Sequence, residues 1–154
     1  MPLFLDTGVL GLVTHPQAGT DAHNCHAWLM GCVDAGSIVC VPEVADYELR
    51  REYLRRKNLN SLGRLNSLSQ SVATYVPLTT PAMREAARLW AQMRNQGTPT
   101  APHHALDGDV ILAAQAQGFL TSTSGAVIVV TTDVGDLSRL ADARRWQDVP
   151  VGKY

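Results

Sequence analysis

No stretch of the sequence stays apolar for the roughly 20 residues that a membrane-spanning helix needs. The opening Met1-Pro2-Leu3-Phe4-Leu5-Asp6 has neither a basic lead nor an uninterrupted apolar run, so no secretory signal is expected. Cysteine is equally sparse. Cys25, Cys32 and Cys40 form no CxxC pair, and three is the wrong number for a complete disulfide framework. A reducing compartment, the cytoplasm, is the expected location. Net charge is lacking too: 13 Lys and Arg against 14 Asp and Glu leave −1. A nucleic-acid surface must therefore arise from the placement of charge rather than its total. The glycine fingerprint of a dinucleotide-binding fold is missing, as are internal repeats, low-complexity segments and linkers.

What is present is the composition of a folded chain, 45% hydrophobic and 18% charged. Its 154 residues suffice for a single domain, 1–154, with a substantial core. Strand-like and helix-like segments alternate. Leu3-Phe4-Leu5 reads as a first strand closed by Asp6. Beyond a loop around His15-Pro16, Thr20 or Asp21 caps a helix towards Asp34. Ser37 to Val41 is a β-branched, apolar run, expected as a strand buried on both faces. Pro42 and Glu43 suit the start of a helix continuing through Lys57. Residues 61–71 suggest a short helix and Ala73 to Leu78 a short strand. Thr80-Pro81 opens a helix whose stripe of Met83, Ala86, Ala87, Trp90 and Met93 keeps helical period to Gly97; the stripe is expected in the core or on a dimer face. Thr98 to His104 reads as a loop with surface histidines. Asp107 is expected to cap a helix from Val110 to Gln117, and Ala126 to Val130 is the third clear buried strand. The alternation of apolar strands with helices predicts an α/β fold with a parallel sheet covered on both faces.

The acids stand out against this frame. Ligands of open α/β sheets bind outside the carboxyl ends of the strands, where Asp6 and Asp133 both fall. Each could instead cap a following helix. Glu48 lies at the border of the buried stripe of its helix, with an ion pair to Arg51 as the alternative reading. Asp109 lies in the first turn of a nearly all-apolar helix, where the dipole alone could explain it. Asp107 and Asp109 are about 200° apart around that helix, so they cannot serve one site equally; Asp107 fits the cap and Asp109 the site. Carboxylates that converge repel one another unless a cation is bound. Oxygen ligands without a partnering histidine or cysteine suit Mg²⁺ or Mn²⁺, and phosphodiester hydrolysis is the natural chemistry of such a centre.

The segments that carry these acids resemble the four motifs of the PIN-domain family in order and spacing. They are Phe4-Leu5-Asp6-Thr7, Pro42 to Arg51 around Glu48, Asp109 to Ala116, and Val130 to Leu137 around Asp133. The likeness runs over essentially the whole chain, whose length is similar to that of VapC-type toxins of toxin–antitoxin systems. It implies a three-layer α/β/α sandwich and a Mg²⁺- or Mn²⁺-dependent ribonuclease. It also implies a homodimer and a cognate antitoxin protein that plugs the acidic cleft. Asp6, Glu48, Asp109 and Asp133 carry over as catalytic, metal-holding acids, Asp136 as an additional metal acid, and Thr7 and Thr131 as their hydrogen-bonding neighbours. One departure concerns Gly8, where members often have Ser or Asn; another is Leu137, where Phe is frequent.

Five bases fall between Arg50 and Lys57. They read as phosphate contacts or as a solvated helix end, with Arg51 the candidate for substrate. His23, Cys25, His26 and Cys32 match no zinc spacing. A haloacid dehalogenase-type phosphatase would want a second Asp at position 8, and a receiver-type domain an acidic pair before Asp6 and a late lysine. A catalytically silent PIN-like module binding RNA or protein, and a housekeeping RNA-processing nuclease, remain alternatives.

Overall fold

The computed structural model describes residues 1–97, 103–122 and 125–152; side chains 103–105, 121 and 122 lie outside the description. Five strands, β1 (Leu3–Leu5), β2 (Val39–Pro42), β3 (Thr74–Val76), β4 (Ile128–Thr131) and β5 (Ala143–Arg145), form one sheet in the order β3-β2-β1-β4-β5. Every pairing is parallel, and Leu3, Phe4 and Leu5 align with Ile128, Val129 and Val130. Six helices connect and cover the strands: α1 (Thr7–Thr14), α2 (Thr20–Asp34), α3 (Glu43–Arg55), α4 (Leu59–Ser67), α5 (Thr80–Asn95) and α6 (His103–Ser122). Among the described residues, no helix is long and apolar enough to cross a membrane.

Strand side chains alternate between faces, and that alternation divides the core. Leu3, Leu5, Val39, Val41, Ile128 and Val130 pack with α1 and α2 through Val9, Leu10, Cys25 and Leu29. Phe4, Cys40 and Val129 point the other way, towards Leu112 and Ala116 of α6. Phe4 meets Phe119 edge to face, with ring centroids 5.3 Å apart. Outside them, α5 lies on α6 through Ala86, Leu89, Met93, Val110 and Ala113. Helices on both faces of a parallel sheet make the three-layer α/β/α sandwich, as the alternating pattern predicts. The sheet grows from β1 through β2 to β3, then returns to the other side of β1 with β4. This reversal opens a crevice at the carboxyl ends of β1 and β4, the usual place for a ligand.

Several sequence expectations shift. Helix α1 occupies a stretch read only as the approach to a loop: its two glycines and two valines have poor helix propensity, but Val9, Leu10 and Val13 are buried. Strand β2 begins at Val39, leaving Ile38 exposed. Helix α5 does open at Thr80-Pro81, and Thr79 caps it by accepting from the Ala82 N–H at 3.1 Å. Helix α6 starts at His103, not Asp107, and runs to Ser122 rather than ending at Gly118. Asp107 is therefore an exposed residue of its second turn and caps nothing. The pair His103-His104 lies at this helix start rather than in a loop, with side chains outside the description, and the stretch 98–102 of the expected loop is itself outside the described residues. Strand β5 escaped the reading because Ala143-Arg144-Arg145 is short and half polar, as suits an edge.

Candidate functional site

Asp6 directly follows β1, and its N–H donates to the Val130 carbonyl at 2.9 Å, fastening the end of β1 to β4. The carboxylate caps α1: Oδ1 accepts from the Thr7 N–H at 2.6 Å. Oδ2 accepts from the Thr131 hydroxyl at 2.7 Å. The capping reading and the site reading of Asp6 thus coexist in one side chain. Thr131, the last residue of β4, is 1% exposed, and its hydroxyl also accepts from the Asp133 N–H at 3.2 Å. One buried hydroxyl therefore ties two of the acids together. Replacing it by the isosteric Thr131→Val leaves Asp6 short of a donor and is expected to destabilise the fold by about 1–3 kcal/mol. Urea denaturation measures this, and a midpoint equal to wild type contradicts the assigned hydrogen bond.

Asp6, Asp109, Asp133 and Asp136 line one cleft of about 240 Å³. Asp109 comes from α6 and Asp133 from the turn after β4; Asp133 Oδ1 accepts from the Gly135 N–H at 3.2 Å. Asp136 lies in the following 3₁₀ turn, Gly135–Arg139, its side chain largely covered and Arg139 at 3.9 Å. Glu48, on α3, approaches from beside this group and accepts from the Thr7 hydroxyl at 3.4 Å. Among the described residues, no three His, Cys, Asp or Glu side chains are drawn together as a ready-made cation cage. The acids are nevertheless electrically coupled. Burial, and then the charges of Asp6, Asp136, Glu48 and Asp133, push the Asp109 carboxyl up to about 7. Burial likewise raises Asp6 against the pull of its hydrogen bonds from Thr131 and Thr7. Glu48 is raised by burial and by Asp6, with Arg51 and Thr7 opposing.

This donor set fits a hard divalent ion. It is all oxygen and rich in carboxylates, and Mg²⁺ typically takes only one or two carboxylates while keeping waters and substrate oxygens. The zinc alternative has no such support: Cys25 and Cys32 are buried in the core, whereas His23 is exposed.

Two residues that sequence reasoning passed over shape the site. Gly108 faces Glu48 so closely that a methyl there would lie 2.9 Å from Oε1. A glycine inside an apolar helix was the available signal, since it costs about 1 kcal/mol against alanine. Gly108→Ala is accordingly expected to displace the Glu48 carboxylate while leaving thermal stability unchanged or raised. If Glu48 serves the chemistry, nuclease assays should show at least a tenfold loss, because a misplacement of about 1 Å carries that order of penalty. Unchanged activity would separate Glu48 from the reaction. The second residue is Thr132. A side chain at Gly8 would begin 2.5 Å from the Thr132 hydroxyl, so the space that Ser or Asn would use is occupied from β4's end.

The basic run beside Glu48 divides. Arg50 is held by both oxygens of buried Asp46 at 2.9 Å. Arg55 and Arg56 pair with Glu52 at 2.7 and 3.7 Å, the solvated helix end foreseen for Arg56. Arg51 instead lies over the Tyr47 ring, 5.1 Å from its centroid.

No family model matches this sequence, and no curated protein matches it. Solved structures do match, and they show a PIN-like fold. The chain superposes on VapBC2 from Rickettsia felis bound to a DNA fragment from its promoter with a TM-score of 0.69 at 12% identity, over 95% of this chain and 99% of that one. For VapBC-1 from nontypeable Haemophilus influenzae the TM-score is 0.69 at 12% identity, covering 96% and 100%. DNA-bound VapBC from Salmonella typhimurium gives 0.62 at 17% identity, covering 95% and 98%. The VapC-type likeness read from the four segments therefore holds at the level of fold.

Proposed function

We propose that the chain is an endoribonuclease that hydrolyses RNA phosphodiester bonds with Mg²⁺ or Mn²⁺, and that it is the toxin of a toxin–antitoxin pair. The carrying observation is the convergence of Asp6, Asp109, Asp133 and Asp136 on one cleft at the switch point of a PIN-like sheet. In this reading Asp6, Glu48, Asp109 and Asp133 are the catalytic acids and metal ligands, with Asp136 a further ligand. A bound ion supplies charge neutralisation at the phosphoryl group and activates water. Thr131 and Thr7 hold the Asp6 carboxylate in one orientation. Thr7 also steadies Glu48. Asp109, whose carboxyl burial and its neighbours raise to about 7, would have to be ionised to hold a cation, so binding would release its proton. Arg51 contributes the local positive charge that RNA requires beside an acidic cleft.

The toxin assignment is supported by full-length likeness to chains of VapBC complexes. It carries with it a cognate antitoxin covering the acids, a homodimer, and a cytoplasmic setting. The direct test incubates total RNA with the antitoxin-free protein in Mg²⁺ or Mn²⁺, beside Asp6→Asn. Discrete cleavage by the wild type and its loss in the variant support the reading. Intact RNA with the wild type, or equal cleavage by both, overturns it and leaves a silent binding module.

A further inference from the structure

Next to the acids lies a second cavity, of different chemistry. It measures about 440 Å³, and its lining includes Tyr47, Glu48 and Arg51 of α3, Leu78 after β3, and Asp107 and Ile111 of α6, so two carboxylates share its wall with the aromatic ring and the guanidinium. Glu48 belongs to its wall, so this cavity begins where the acidic site ends. Its interior is chiefly apolar, yet its rim carries an aromatic ring and a guanidinium stacked on each other. Tyr47 is 58% exposed although it lies on an otherwise amphipathic helix. Arg51 makes its charge felt at Glu48.

We propose that this cavity is a nucleobase subsite, in which a base of single-stranded RNA beside the reacting phosphate stacks on Tyr47 under the cover of Arg51. The proposal rests on the ribonuclease reading above and adds to it the group that the chain recognises. Three features favour a base over other occupants. An apolar cleft rimmed by a few polar groups suits a flat heterocycle. Single-stranded RNA is gripped mainly by stacking on aromatic and guanidinium planes, because its bases are free to splay out. Arg51, which already lies over the Tyr47 ring and acts on Glu48 and Glu52 by its charge, supplies a cation for the phosphate carried with the base. Gly108 lines this cavity too, and its missing side chain leaves room for the Glu48 carboxylate in the wall.

The test compares two probes that share phosphates and differ in bases: fluorescein-labelled hexaadenylate and the abasic ribose-phosphate hexamer. Affinities are read by fluorescence anisotropy in EDTA, where no metal-assisted cleavage proceeds, for wild type, Tyr47→Ala, Tyr47→Phe and Arg51→Ala. The wild type is expected to bind hexaadenylate about tenfold more tightly than the abasic hexamer, the worth of one stacked base. Tyr47→Ala should remove that preference without weakening abasic binding, and Tyr47→Phe should keep it. Arg51→Ala should weaken both probes and flatten the salt dependence by about one ion. Circular dichroism of the Tyr47 variants separates lost stacking from lost folding. Tyr47→Ala binding both probes as the wild type does overturns the proposal and assigns the cavity to another occupant, such as a segment of a protein partner. A Tyr47-dependent base preference in a chain that leaves total RNA intact upholds the subsite and defeats the nuclease reading. Cleavage without any Tyr47-dependent preference does the reverse.

Discussion

Asp109→Asn is expected to lower RNA cleavage by about 1,000-fold, because a carboxylate that positions a catalytic cation is worth several kcal/mol of transition-state stabilisation. The same change should make the metal-free protein more stable near neutral pH. Burial first, and then four neighbouring carboxylates, raise Asp109 to about 7, and an amide of nearly equal shape removes one buried charge from that group. Loss of activity together with a gain in stability distinguishes a functional acid from a structural one. A purely structural Asp109 would lose stability on substitution, and the dipole reading no longer applies because α6 begins at His103, more than a turn before it. Single-turnover cleavage and thermal melts in EDTA measure the two halves. An Asp109→Asn chain that melts lower and still cleaves contradicts the account.

In EDTA, stability should fall as pH rises from about 5 to 8. The sign follows from linkage. The Asp109 carboxyl titrates near 7 in the folded chain against 3.8 ordinarily, so between those values the folded state binds more protons than the unfolded one. Stability that depends on this proton is complete below about 4 and lost as pH passes 7. Asp6 and Glu48 are raised as well and act in the same direction. Discounted for the solvent that reaches the cleft, the loss is on the order of 2 kcal/mol, or about 4–8 °C in Tm for a chain of this size. Saturating Mg²⁺ should abolish most of the slope, since an ion that binds the ionised cluster stabilises the folded state. Differential scanning calorimetry across this range, with and without Mg²⁺, checks both parts. A flat or rising EDTA profile, outside the range where the protein aggregates, goes against the cluster as the dominant titrating unit.

The sequence made the frame of this fold readable wherever burial and periodicity agreed. The apolar runs at β1, β2 and β4 have to be covered on both faces, and that requirement alone led to a parallel sheet between helices. Asp6 and Asp133 could be placed at strand ends because an acid closes each run. Asp109 needed a helical wheel to separate it from Asp107, and the separation held although the supposed cap did not. What escaped depends on tertiary contact. Helix α1 forms despite Gly8 and Gly11 because Leu5, Val9 and Val13 share one core with α2. The short β5 is selected by pairing with β4 rather than by its own side chains. The space at Gly8 is filled by Thr132, more than 100 residues away, and no local pattern signals such an exchange. Tyr47 looked like a neighbour of Glu48 until α3, α6 and the turn at Leu78 enclosed the cavity beside it.

We propose above all that these carboxylates form a divalent-cation centre. Isothermal titration of the antitoxin-free chain with Mn²⁺ at pH 7, wild type beside Asp109→Asn, tests it most directly. Repeating the titration in buffers of different ionisation enthalpy counts released protons. Binding by the wild type is expected with release of part of a proton, as Asp109 ionises to meet the metal, and at least tenfold weaker binding by the variant. No heat of binding from the wild type, or equal affinity and equal proton release from both chains, would contradict it.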